Sequence, residues 1–101
     1  MSISSILSSP LKNKRYRAVM SDGSHVDFGL KGGSTYIDHF DEKKRSAYRK
    51  RHLGNPIERH LIENNIVSAA LFSYAILWGD SFLIDVNVEK LNKKFKKIGL
   101  K

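Results

Sequence analysis

The chain has 101 residues, 41% of them hydrophobic, and carries a formal net charge of +8 at pH 7. This length predicts one domain that folds alone, and the ordinary hydrophobic fraction does not indicate disorder. Because cysteine is absent, disulfides and thiolate metal sites are excluded. The positive charge points to polyanions or acidic protein surfaces as partners, although it could also serve solubility alone.

The first segment, residues 1 to 11, contains five serines and no charged side chain. It lacks the basic start of a secretory signal, so none is expected. We predict a flexible N-terminal arm over 1–11, whose aliphatic side chains could anchor on a partner. Residues 12–101 then form a single globular domain with a basic C-terminal helix. No membrane span is expected, because the longest apolar run, Ile66 to Trp78, is shorter than the roughly 20 residues required.

An antiparallel hairpin is predicted over Lys14 to Met20 and His25 to Leu30, where polar and apolar residues alternate. A two-residue loop at Asp22-Gly23 would place apolar side chains opposite polar ones. Pairing Ala18 with Phe28 keeps the apolar faces together. That pairing requires a three- or five-residue loop or a bulge, although Asp-Gly favours the tighter turn.

The chain after the hairpin is predicted to be mostly helical. Helix signals mark Tyr36 to Leu53 closed by a left-handed Gly54, a helix capped by Asn55, a core helix over Ile66 to Trp78, and a last helix capped by Asn87. Residues 82-86 alternate and could add a third strand. The predicted fold class is therefore α+β, with an N-terminal antiparallel β-hairpin packed on three or four helices.

Positive charge is concentrated on two of these helices. Six of the 18 Lys and Arg residues lie on the helix after the hairpin, and lysine covers most of the last helix outside its apolar stripe. Cations interleaved with tyrosine suit both phosphates and the carboxylates of a neighbouring protein. The predicted binding surface comprises Lys43, Lys44, Arg45, Tyr48, Arg49, Lys50, Arg51, Lys93, Lys94 and Lys97.

No catalytic or metal-binding motif is complete in the sequence. His39, Asn55 and His60 follow the order of His-Asn-His nucleases, but a charged helix intervenes where that site needs a strand and a turn. A nuclease is therefore only a remote alternative. The segment Lys31-Gly32-Gly33-Ser34 lacks the full phosphate-loop pattern, which favours a hinge over a phosphate cradle. We predict no enzymatic activity, no metal and no cofactor.

The order of residue types along the first half of the chain resembles a known family. The succession runs through a basic strand, Asp22-Gly23, Val26-Asp27-Phe28-Gly29, Lys31-Gly32, Ser34-Thr35-Tyr36-Ile37-Asp38-His39, Asp41 to Arg45, Tyr48 and Arg51-His52. It resembles an uncharacterised family of small basic proteins of large eukaryotic double-stranded DNA viruses (nucleocytoplasmic large DNA viruses). The resemblance covers about residues 14 to 56 and Leu77-Trp78. The extra length between Pro56 and Trp78 and the lysine-rich last helix depart from it.

The resemblance implies a viral setting and supplies no catalytic residue. Small basic proteins in such viruses are commonly virion components that cement capsid lattices or accompany the packaged genome. We therefore predict a non-enzymatic virion structural protein, a minor capsid or capsid-associated component that bridges larger subunits through basic surfaces. The alternative is a sequence-independent nucleic-acid-binding protein that packages or accompanies viral DNA, using Arg45, Arg49, Arg51 and the helix from Lys90 to Lys97. Expected partners are other virion proteins or a DNA or RNA backbone, in the virion or otherwise in host cytoplasm or nucleus.

Overall fold

The computed structural model describes residues 2–97. Three antiparallel strands form one sheet in the order β1-β2-β3 and are followed by helices, which confirms the predicted α+β class. The strands are β1 (Ile3–Ser8), β2 (Lys14–Met20) and β3 (His25–Leu30). The helices are α1 (Tyr36–His39), α2 (Glu42–Leu53), α3 (Pro56–Glu63), α4 (Ala69–Phe72), which runs into a π-helical segment (Ser73–Leu77), and α5 (Ile84–Lys97). None of these described helices combines the length and apolar character needed to cross a membrane.

The core lies between one face of the sheet and the layer formed by α4, the π-helical segment and α5. Phe28 of β3 and Phe72 of α4 are fully buried and meet edge to face at 5.7 Å between ring centroids. The apolar run predicted as a core helix therefore occupies the centre of the fold. Its helix begins only at Ala69, because the Ser68 hydroxyl caps it by accepting a hydrogen bond from the Leu71 N–H (3.2 Å).

The hairpin of β2 and β3 has a three-residue loop over residues 21–23, one of the two predicted lengths. Gly23 adopts a φ of 88° in this loop, which a residue without a Cβ accepts readily. Ala18 pairs with Val26, so the predicted pairing of Ala18 with Phe28 is wrong by two residues. Because side chains alternate with a period of two, both registers place the same residues on the buried face.

The predicted flexible arm contains strand β1. A register shift between Ile3 and Ser5 brings Ile3 and Ile6, three residues apart, against the same core. Buried positions repeat every two residues along a regular strand, so the sequence pattern does not reveal a strand with this irregularity. Asn92 of α5 holds the outer edge of β1 by accepting from the Ile3 N–H (2.7 Å) and donating to the Ile3 carbonyl (3.1 Å).

The predicted helix Tyr36 to Leu53 is divided into α1 and α2 at Phe40. Phe40 has a φ of 57°, in the left-handed region that a bulky side chain rarely adopts. Asp41 then caps α2, because its carboxylate accepts hydrogen bonds from two backbone N–H groups (3.0 and 3.2 Å). The prediction of a left-handed Gly54 is wrong, since its φ is −76°.

Residues 82-86 do not form the third strand, because α5 begins at Ile84. Asn87, predicted as the cap of the last helix, lies inside α5 and is 2% exposed. Its side-chain amide donates to the carbonyls of Ile76 (2.8 Å) and Ser81 (2.6 Å), and its side-chain oxygen accepts from the Ser81 N–H (3.0 Å). Asn87 thus links α5 to the end of the π-helical segment.

The short helix α1 is tied to the sheet through Asp38. Its carboxylate accepts two hydrogen bonds from the Arg15 guanidinium (2.7 and 2.6 Å) and two from Thr35, through the backbone N–H (2.8 Å) and the hydroxyl (3.0 Å). The bonds from Arg15 hold the pKa of Asp38 well below its usual range. The folded state therefore stabilises the ionised form of the Asp38 carboxyl group relative to its protonated form.

Acidification is expected to remove the contribution of Asp38 to stability. Its pKa in the folded state lies below the unfolded value of about 3.9, so the contribution is present above that pH and is lost as the pH falls below it. Asp38→Asn should lower the free energy of unfolding at about pH 6, and the difference from the parent should shrink below about pH 4. Asp85→Asn is the control, because Asp85 has no ion pair among the described residues. A difference in the free energy of unfolding between Asp38→Asn and the parent that stays constant with pH would contradict this role of the Asp38 carboxylate.

Candidate functional site

Helix α2 has no buried residue and docks on the rest of the fold through hydrogen bonds from its arginines. Arg45 Nε donates to the Gly79 carbonyl (2.8 Å), and its Nη2 donates to Asp80 (2.6 Å). Arg49 Nη1 donates to the Trp78 carbonyl (2.7 Å). These carbonyls follow the last turn of the π-helical segment, where helical partners run out. Two arginines of the predicted binding surface therefore take part in the packing of α2.

Tyr48 lies in the middle of an aromatic stack. Its ring is nearly parallel to that of Trp78, at 4.2 Å and 9°, and the His52 ring covers it at 4.0 Å. Burial raises the pKa of Tyr48 to about 12. The predicted binding residue Tyr48 is thus a packing residue that fixes α2 against Trp78.

The other predicted cations of α2 point to solvent. Lys43, Lys44, Lys50 and Arg51 are all exposed. At about 100° per residue, Lys43 and Lys50 lie in one row along the helix. Lys44 and Arg51 lie in a second row beside it. The two members of each row are about 10 Å apart along the axis. None forms an ion pair with a carboxylate in the described part of the chain.

A groove of about 330 Å³ lies between α5, the π-helical segment and Arg49 of α2. Three lysines of α5 line it together with Arg49. Among the described lining residues Asp80 is the single carboxylate; it bonds to Arg45 at 2.6 Å and lies 3.8 Å from Lys90 Nζ. Lys93 Nζ lies 3.5 Å from Glu89. We call this site the basic groove and define it by Arg49, Lys90, Lys93 and Lys94.

Arg49 is held in a fixed orientation within the basic groove. Its guanidinium lies over the Tyr74 ring at 4.1 Å from the centroid, and one N–H is used by the Trp78 carbonyl. A guanidinium has five N–H donors, so others remain for a ligand. A planar, preorganised guanidinium beside lysines suits phosphate or carboxylate oxygens.

The basic groove brings together only part of the predicted surface. Arg49, Lys93 and Lys94 line it, whereas Lys97 is exposed in the last described turn of α5. Lys90 was not included in the predicted binding surface, although the nucleic-acid-binding alternative used the helix from Lys90 to Lys97. Its spacing of four residues from Lys94, which places both on one helix face, is the signal that identifies it.

The residues that follow the order of a His-Asn-His nuclease have local partners. His39 Nδ1 accepts a hydrogen bond from the Asp41 N–H (2.9 Å), and Asn55 caps α3 as predicted (3.0 and 3.2 Å). His60 Nδ1 lies 3.2 Å from the Asn64 side-chain nitrogen. In the described part of the chain, no three His, Asp or Glu side chains are grouped to hold a metal ion.

Comparison with known families finds a match in the first half of the chain. Residues 5–52 are similar to a family of unknown function (DUF5754). The match covers most of the sheet, α1 and nearly all of α2, and it stops before α5 and its lysines. No curated protein and no solved structure matches the chain. The resemblance to a viral family stays a prediction.

Proposed function

We propose that the protein binds the phosphate backbone of nucleic acid, without sequence preference and without catalysing a reaction. The observation that carries the proposal is the basic groove, in which Arg49 is fixed by Tyr74 beside three lysines of α5. Lysine and arginine contacts to phosphates release condensed counterions, which supplies essentially all of non-specific affinity for nucleic acid.

The distribution of ion pairs supports a polyanionic partner. Within residues 2–97, six of the ten Asp and Glu side chains form ion pairs with Arg, Lys or His, namely Asp27, Asp38, Glu58, Glu63, Asp80 and Glu89. The exposed lysines of α2 and Lys94 of α5 have no such partner in the described part of the chain. Excess positive charge is therefore presented to solvent on two helices.

The type of exposed cation favours a phosphate backbone over a protein surface. Protein interfaces are enriched in arginine and aromatic residues and depleted in lysine. Arg45 and Tyr48, which would suit a protein interface, are used to dock α2. The remaining cations are mainly lysines, which act as point charges toward phosphates and tolerate many geometries.

A minor capsid role is a second candidate, favoured by an exposed aromatic pair. Phe40 and Phe82 are 57% and 50% exposed, and their ring centroids are 4.8 Å apart. Leu83, next along the chain, is 53% exposed. Adjacent exposed apolar side chains are typical of protein contact surfaces. The virion setting itself rests on the sequence resemblance and stays a prediction.

Fluorescence anisotropy with labelled duplex DNA at several salt concentrations tests the proposal. We expect the logarithm of the binding constant to fall linearly with the logarithm of salt concentration. Lys93→Gln/Lys94→Gln should weaken binding and reduce the slope by roughly two, since each phosphate contact contributes about 0.9. Lys12→Gln/Lys31→Gln, which removes the same charge from exposed lysines outside the groove, is the matched control and should have a smaller effect.

Two results would contradict the proposal. Equal losses of DNA affinity in the two double variants would indicate that binding depends on net charge and does not use the basic groove. Absence of DNA binding at about 0.15 M salt, combined with stoichiometric recovery of the protein in purified empty capsids, would favour the capsid component instead.

A further inference from the structure

A second cleft, of about 550 Å³, opens between the sheet, α2 and α4. Its lining combines cations with apolar side chains: Lys14 and Arg51 contribute charge, and Ala69, Ala70 and Leu77 contribute apolar surface. Pockets that bind small ligands commonly have volumes of about 300–1,000 Å³ and a similar mixture of lining groups. The cleft shares no lining residue with the basic groove.

The formal charge of the described lining of this cleft is positive, because two cations, Lys14 and Arg51, line it with one carboxylate, Glu58. Lys14 and Arg51 form no ion pair in the described part of the chain. Glu58, the acidic lining residue, is bonded to His52 Nδ1 at 2.5 Å. The guanidinium of Arg51 lies 5.7 Å from the centre of the Tyr48 ring, which leaves its hydrogen-bond donors for a ligand.

The glycine-rich segment after β3 contributes to the same cleft. Gly33 and Ser34 line it, and Gly32 turns the chain with a φ of 85°. The Gly33 N–H donates to the Leu30 carbonyl (3.0 Å), and a Cβ at Gly33 would lie only 3.1 Å from that oxygen. The tight turn therefore places the Gly33 backbone and the exposed Ser34 hydroxyl at the cleft that Lys14 and Arg51 line.

We propose that this cleft binds a nucleoside monophosphate, either free or as the phosphorylated end of a single strand. The phosphate contacts Arg51 and Lys14, because a guanidinium and an ammonium together match its charge and oxygens. The base packs against the alanines of α4, since the faces of Tyr48 and Trp78 are already stacked on each other. This site is additional to the basic groove and does not depend on it.

Isothermal titration calorimetry of the full chain with AMP, adenosine and inorganic phosphate tests the site. AMP should bind at least about tenfold more tightly than either fragment, because it alone contacts both parts of the cleft. Arg51→Gln should weaken AMP binding by about tenfold through the lost charge-assisted hydrogen bonds. Ala70→Leu should weaken it as well, by filling the cleft without changing charge. Lys50→Gln, on the outer side of the same helix, is the control and should change affinity by less than about twofold.

Three results would overturn the site. They are absence of AMP binding at about 1 mM, equal weakening by Lys50→Gln and Arg51→Gln, and loss of AMP binding in Lys93→Gln/Lys94→Gln. A 5′-phosphorylated dinucleotide separates the two forms of the ligand. Binding as tight as that of AMP supports a strand end, and weaker binding supports the free nucleotide.

Discussion

Gly79→Ala is expected to destabilise the protein by about 3 kcal/mol or more. A Cβ at this buried position would collide with the Ala75 carbonyl oxygen and would lie 2.7 Å from Asn87 Cγ. Asn87 cannot move aside without losing its hydrogen bonds to Ile76 and Ser81. Domains are typically stable by about 5–15 kcal/mol, so this loss is a large part of the total. Urea denaturation followed by circular dichroism measures it.

Gly54→Ala is the matched control for this substitution. Gly54 is exposed, and its φ of −76° is one that alanine adopts readily. The free energy of unfolding should change by no more than about 0.5 kcal/mol. A stable Gly79→Ala protein, or equal losses at both positions, would contradict the close approach of α5 to the π-helical segment.

Arg45→Gln/Arg49→Gln is expected to lower the free energy of unfolding by about 3 kcal/mol. The double variant removes the hydrogen bonds to the carbonyls of Gly79 and Trp78 and the contact of Arg49 with Tyr74. Hydrogen bonds from charged groups contribute about 1.5–3 kcal/mol each, whereas the pair with the exposed Asp80 adds little. The stack of Tyr48 on Trp78 remains in this variant, so the loss measures the contribution of the two arginines.

Lys43→Gln/Lys50→Gln provides the matched comparison on the same helix. It removes the same charge from two exposed lysines that make no ion pair in the described part of the chain. Stability should stay within about 0.5 kcal/mol of the parent. Similar stability of the two double variants would show that the arginines do not dock α2. DNA affinity should be compared at a temperature where both variants remain folded.

Local signals in the sequence were sufficient where a few neighbouring residues decide the structure. The alternation of β2 and β3 predicted their common buried face, and the Asn55-Pro56 pair predicted the start of α3. The lysines of the last helix were identified as a basic face from spacing alone. In each case the deciding interactions are short-range, so the pattern is visible in the chain itself.

Other elements depend on partners that are distant in sequence. Strand β1 is irregular, and its edge is held by Asn92 of α5, 89 residues away. Asn87 has the character of a helix cap, yet it lies inside α5 because Ile76 and Ser81 accept its hydrogen bonds. Propensity alone assigns such residues to caps and turns, and tertiary hydrogen bonds override it.

The sequence determined the α+β class of this protein and the concentration of cations on two helices. Only the tertiary structure decided which cations are bonded within the fold: Arg45 and Arg49 bond to carbonyls at the end of the π-helical segment, whereas Lys43 and Lys50 remain in solvent. The physical reason is that charge is a property of each residue, whereas its use depends on the acceptors that folding brings within hydrogen-bond distance.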